Sequence, residues 1–153
     1  MSTSLIDQLT TLSVEAENLD VFCENAVDLI EQSNPKFDWV GIYRADENLL
    51  TLPERFYQGT EPDHKEIPFD EGICGAAARE RATIVVDDVN SDPRYLACSL
   101  YTQSEIVVPI IAGETLYGVL DLDSDTPAAF GSVEQQTLES AAEIIAGIFQ
   151  KHR

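Results

Sequence analysis

The spacing of apolar positions changes from helical to strand-like and back along the chain. Over residues 3–33, Phe22, Ala26, Leu29 and Ile30 recur at i, i+4, i+7 and i+8, one face of a 3.6-residue period. The pattern weakens near Ser13, where a short N-terminal helix could separate, and Asn34-Pro35 stops it. Asp38–Tyr43 then reads as a strand, Ala45–Asn48 as a turn, and Leu49–Leu52 and Arg55–Gly59 as further strands. Thr60–His64 is a loop by composition. Gly72–Arg81 is alanine-rich and reads as a short helix, Thr83–Val89 as a β-branched strand, and Asn90–Arg94 as a loop. Glu105–Ile111 and Glu114–Asp123 form a hairpin around Ala112-Gly113, with Pro109 marking an edge or a bulge. A last helix starts at Ser132, where Ser132-Val133-Glu134-Gln135 fits a capping box with Gln135 at the third helical position. Leu138, Ala141, Ile145, Ile148 and Phe149 supply its buried stripe.

Helix, several strands with a helix inserted, and helix again make an α+β class. Hairpin-linked strands predict a central, largely antiparallel sheet with the terminal helices packed on one face. At 153 residues with 44% hydrophobic positions, the chain is long and apolar enough to bury a core, and reads as a single domain over 1–153. The longest apolar run is Ile106–Ala112, far short of the roughly 20 residues a membrane span needs. The N-terminus MSTSLIDQLTTL lacks a basic segment and a cleavage signature, so no secretion signal is read.

Nine Lys and Arg against 28 Asp and Glu give a formal net charge of −19. Such a field repels phosphate backbones and anionic lipid heads, so neither nucleic acid nor a membrane surface is an expected partner. Otherwise the acidity speaks to solubility. Three cysteines, Cys23, Cys74 and Cys98, argue against a structural disulfide framework and for a reducing, cytoplasmic setting.

Several chemistries are missing from the sequence. It contains no G-x-G-x-x-G, no G-x-x-x-x-G-K-[ST], no H-E-x-x-H and no G-x-S-x-G, and its two histidines are His64 and His152. Cysteine and carboxylate chemistry remain. Cys98 lies beside a loop, in Arg94-Tyr95-Leu96-Ala97-Cys98-Ser99-Leu100. Cys74 opens the alanine-rich helix, where the dipole would favour a thiolate. For both, a small buried hydrophobe is the ordinary alternative; Cys23 shares a face with Ala26, Val27 and Ile30 and reads as core. Asp121 and Asp123 project from one face of a strand while Leu120 and Leu122 project from the other. Paired carboxylates there call for a cation, a shared proton, or water. Glu105 begins the preceding strand. Trp39 and Tyr43, four residues apart on a strand, share a face, as core or as the apolar wall of a pocket.

Together these residues resemble a GAF domain. Ser104–Ile110 followed by Leu116-Tyr117-Gly118-Val119-Leu120-Asp121-Leu122-Asp123-Ser124 is similar to that family's most recognisable segment. More narrowly, the chain resembles the stand-alone GAF enzymes that reduce free methionine-R-sulfoxide. The matching blocks are Asp38–Tyr43, Gly72–Ala78, Ala97-Cys98 with Glu105–Pro109 after it, and Gly118–Ser124. In one respect the chain departs from the pattern: those enzymes commonly carry a cysteine where His64 stands here.

The resemblance implies an antiparallel sheet with a short inserted helix and loops over a ligand pocket. It implies that Trp39 and Tyr43 wall the substrate methyl, and that backbone N–H groups around Leu96, Ala97 and Cys98 hold the substrate carboxylate. Glu105, Asp121 and Asp123 would surround the sulfoxide and the ammonium, one of them protonated by mutual crowding. Cys98 would attack sulfur and become a sulfenic acid, and Cys74, left as the resolving thiol by His64, would form a Cys74–Cys98 disulfide for a thioredoxin-type reductant. No cofactor and no metal are implied, and a homodimer stays open. The rival readings are a GAF module that senses a small molecule without catalysis, and a structural dimerisation domain.

Overall fold

A computed structural model of the protein describes residues 4–96 and 101–152. Helices α1 (Leu5–Glu15) and α2 (Leu19–Gln32) come first, followed by β1 (Trp39–Asp46), β2 (Leu49–Thr51), β3 (Tyr57–Gln58) and β4 (Glu66–Pro68). After these come α3 (Gly72–Glu80), β5 (Ile84–Val86), β6 (Ser104–Ala112), β7 (Thr115–Ser124) and α4 (Ser132–Lys151). The strands pair antiparallel in the order β4-β2-β1-β7-β6-β5, with β3 also on β1. The α+β architecture expected from the pattern is the one observed. No described helix is long and apolar enough to cross a membrane.

Sheet parity divides the core. Val40, Ile42, Ile106, Val108, Ile110, Leu120 and Leu122 are buried, and α4 packs on β6 while α1 and α2 pack against α4 and each other. The other parity, which carries Trp39, Tyr43, Asp121 and Asp123, faces α3, which packs on β6 and β7. Terminal helices thus cover one layer, and the short helix helps to cover the other.

Several element ends differ from the sequence reading. The N-terminal helices separate at Ala16–Asn18, not at Ser13. Asn18 Oδ1 accepts the Val21 N–H at 2.9 Å and caps α2, whereas Ser13 Oγ bonds back to the Thr10 carbonyl inside α1. At the start of α4 the reciprocal contact is one residue earlier than expected: Glu134 Oε1 accepts the Gly131 N–H at 2.9 Å. Strand β4, only three residues and ending in proline, has no legible signal in the sequence.

The β6–β7 hairpin closes on Gly113-Glu114. Gly113 alone has positive φ (62°), the pattern of a type II′ turn. A bulge then changes the register. Ile111 pairs with Leu116, but Ile110 pairs with Gly118, so Tyr117 is the extra residue. Pro109 lies two residues past the last β5 pairing, where its missing N–H costs no ladder bond.

Gly118 is sterically required. A Cβ there would sit 1.9 Å from the Tyr43 carbonyl oxygen, backbone against backbone. Gly118→Ala is therefore expected to destabilise the fold by about 3 kcal/mol or more, at the upper end of overpacking costs. Urea unfolding checks this, and an unchanged midpoint would refute the close approach.

Candidate active site

The register of three strands builds the site. Trp39 pairs with Asp123, and Asp123 pairs on its other side with Glu105. One step along, Gly41 pairs with Asp121 and Asp121 with Val107. Directly opposed side chains stand about 4.5–5.5 Å apart at Cβ, so Glu105 and Asp123 meet and Asp121 sits diagonally beside them. Parity puts the indole, the three carboxyls and Tyr43 on one face. Gly41 leaves room for the indole, since a Cβ there would lie 2.2 Å from the Trp39 ring.

Around this face lies a cavity of about 220 Å³ lined by Asp38, Trp39, Tyr43, Thr60, Pro62, Tyr101, Thr102, Asp121, Asp123 and Asp125. The Trp39 and Tyr43 ring centroids are 6.4 Å apart, and Tyr57 stacks behind the indole at 6.0 Å. Trp39 and Tyr43 also hold the loop beside them. Trp39 Nε1 donates to the Thr60 carbonyl and Tyr43 Oη to the His64 carbonyl, both at 2.9 Å. Tyr101 is 72% exposed at the rim. None of the described lining residues is basic.

The carboxyls are buried with no described cation among the lining residues. Burial pushes Glu105 well above the usual carboxylate range, and the charges of Asp121 and Asp123 push it further. Asp123 is likewise raised well, first by burial and then by Asp121. Asp121 is also raised by burial, but hydrogen bonds from Glu105 and the Cys74 thiol oppose this. Asp121 is therefore the member whose carboxyl is raised least, while Glu105 and Asp123 are both pushed toward their protonated forms. Asp121 Oδ1 and Asp123 Oδ1 are buried without a partner among the described residues.

Cys74 occupies the first turn of α3 and is 4% exposed. The helix dipole does not yield the thiolate expected from sequence. Burial, followed by the charges of Asp121, Glu105 and Asp123, pushes the thiol well up and keeps it protonated. Of the other sequence candidates, Leu96 packs against Gly72 at the mouth of α3, its Cβ 3.2 Å from where a Gly72 Cβ would stand. Ala97 and Cys98 lie outside the described residues. Cys23 is buried in the core on α2, as expected. Sequence reasoning missed Asp38, Thr60, Pro62, Tyr101, Thr102 and Asp125. Asp38 and Asp125 are linked, the Asp125 N–H donating to Asp38 Oδ2 at 2.7 Å, and no spacing rule connects residues so distant in the chain.

The raised carboxyls carry a stability prediction. Folding lifts each of them above its unfolded value near 4, so the folded chain holds protons that the unfolded chain has released. Their stabilisation is complete below the ordinary carboxylate range and is lost as the pH rises through the raised values, by about 1.4 kcal/mol per pH unit per proton. Melting temperature should therefore fall from about pH 5 upward, and Asp123→Asn should flatten that fall. A melting temperature that rises over the same interval would contradict the assigned protonation.

Similarity to known proteins establishes the family of the chain. A family model described as GAF domain matches residues 18–148. The free methionine-R-sulfoxide reductase of Saccharomyces cerevisiae is 41% identical over 113 residues, 71% of this chain and 61% of that protein. The crystal structure of the Neisseria meningitidis free methionine-R-sulfoxide reductase with its substrate is 30% identical at a TM-score of 0.90, covering 97% of this chain and 88% of that one. The type II free methionine-R-sulfoxide reductase of Thermoplasma acidophilum is 35% identical at a TM-score of 0.81, covering 88% and 97%. With the sheet, the covering helices and the family match in accord, the chain belongs to the GAF domain family.

Proposed function

We propose that the chain, acting as one unit over residues 1–153, reduces free methionine-(R)-sulfoxide to methionine. The observation that carries this reading is the coupling of a small aromatic-walled cavity to three buried carboxyls, all pushed toward their protonated forms, beside a buried thiol. Trp39 and Tyr43 enclose the methyl group, and the acidic wall receives the ammonium. A carboxyl that stays protonated donates to the sulfoxide oxygen and makes the sulfur electrophilic. The Cys98 thiolate attacks that sulfur, the sulfoxide oxygen, carrying the donated proton, passes from the methionine sulfur to the Cys98 sulfur, and the transient sulfur–sulfur bond breaks, so methionine leaves and Cys98 remains as a sulfenic acid. Asp121, hydrogen-bonded to Cys74, takes the Cys74 proton. The freed thiolate displaces the sulfenic oxygen as water, forming a Cys74–Cys98 disulfide. A thioredoxin-type dithiol then reduces the bridge through a mixed disulfide, which suits a reducing, cytoplasmic compartment. The roles of Leu96, Ala97 and Cys98 rest on the resemblance of the chain to these reductases.

The test is methionine release from the separated R and S epimers of the free sulfoxide, with dithiothreitol as reductant. Only the R epimer should turn over. N-acetyl-methionine sulfoxide amide should react slower by orders of magnitude, because a closed site with polar partners rejects analogues lacking them. Equal rates on the free and blocked substrates would remove the proposal. A module that only senses a ligand would consume no thiols, whereas turnover without reductant oxidises two per chain.

A further inference from the structure

We propose that Cys74, Glu105 and Asp121 form a binding site for one divalent zinc ion. One ligand atom from each lies within 4.8 Å of the other two, and all three side chains are more than nine-tenths buried. They reach the site from separate elements: Cys74 from the first turn of α3, Glu105 from β6 and Asp121 from the neighbouring β7. A second observation concerns a member of the group, Asp121, and its neighbour Asp123. Asp121 Oδ1 and Asp123 Oδ1 are buried polar atoms without a hydrogen-bond partner among the described residues, and no described basic side chain lines the cavity beside them. Buried carboxylate oxygens left so are costly unless something positive or a proton meets them.

The donor set selects the metal class. Magnesium and calcium take six or more oxygens and gain nothing from a thiolate. One sulfur with two carboxylates suits a tetrahedral, borderline-soft ion, and three protein ligands leave the fourth position for water. Zinc–sulfur and zinc–oxygen bonds of about 2.3 and 2.0–2.2 Å put tetrahedral ligand atoms roughly 3.4–3.7 Å apart. The three atoms already lie within 4.8 Å of one another, so coordination draws any pair together by at most about 1.4 Å. On binding, the Cys74 S–H bond is replaced by sulfur–zinc coordination, and its proton passes to solvent together with any held by the carboxyls. The site shares residues with the proposed reductase centre but does not depend on that reading.

The experiment uses the full, reduced, metal-free chain without any sulfoxide, so its failure leaves the reductase reading untouched. Equilibrium dialysis against zinc in excess magnesium should retain one ion per chain. Cadmium should give a thiolate-to-metal charge-transfer band in the native chain and in the Cys23→Ala/Cys98→Ala double variant, and none when Cys74→Ala is added to that double variant. Glu105→Gln keeps the thiol and should weaken zinc at least as much as losing an outer-shell partner does, on the order of 10–100-fold. That variant carries the test if Cys74→Ala does not fold. Displacement of zinc by magnesium, a cadmium band that survives Cys74→Ala in the double variant, or unchanged affinity in folded Glu105→Gln would each overturn the site.

Discussion

Cys98→Ser should abolish methionine formation, down to the uncatalysed background, even in a single turnover with enzyme in excess. A serine hydroxyl cannot accept the sulfoxide oxygen as a thiolate does, and neither remaining cysteine is suited to replace it. Cys23 lies in α2, on the side of the sheet that α3 does not cover, and burial pushes its thiol far above the ordinary range despite Arg44 nearby. Cys74 is held protonated by its burial and by the carboxylates. Substantial methionine from the Cys98→Ser enzyme would therefore move the nucleophile elsewhere. Cys74→Ser separates the later step. It should still release methionine once per chain, then stall with thioredoxin as reductant while small thiols recycle it. Peptide mapping after oxidation by substrate should join Cys74 to Cys98; a bridge from Cys98 to Cys23 would be irreconcilable with this scheme.

Much of the site was legible in short-range spacing. Asp121 and Asp123 share a face because a strand has period two, and so do Trp39 and Tyr43. What spacing could not reveal is how Glu105 joins them. The two-residue turn pairs Ala112 with Thr115. Continued without interruption, that register would set Glu105 opposite Leu122 and turn its side chain toward the helices. The extra residue at Tyr117 shifts the register by one, so Glu105 instead opposes Asp123 and faces the cavity. A single bulge thus assembles the carboxyl cluster; Pro109 and Gly118 beside it hint at an irregularity, but neither says on which strand the extra residue falls. The protonation of Cys74 departs from its sequence reading for a related reason. The helix N-terminus is visible in sequence, but the burial and the three carboxylates that outweigh it are tertiary. The loop contacts of Trp39 and Tyr43, each spanning 21 residues, are likewise products of the finished fold.

The protonated carboxyl cluster leads to a second large effect. Glu105→Gln should lower single-turnover methionine release by roughly 10²–10⁴-fold, the usual contribution of a positioned acid. The amide keeps the shape of Glu105 and can still donate to Asp121, so the loss reports the titrating proton and not the packing. In the native enzyme the acid works only while the cluster holds that proton. Its rate should therefore decline as the pH rises through the raised values of Glu105 and Asp123. In the Glu105→Gln enzyme that alkaline limb should disappear or shrink to the part carried by Asp123. Asp121→Asn should act differently, because Asp121 is the member raised least and is hydrogen-bonded to the Cys74 thiol. It should slow disulfide formation more than the first release of methionine, a split that rapid quenching with separate assays for methionine and free thiols resolves. Native single-turnover kinetics in Glu105→Gln, or a retained alkaline limb of full amplitude, would mean that Glu105 only supports the site and that the proton reaches the sulfoxide from another group.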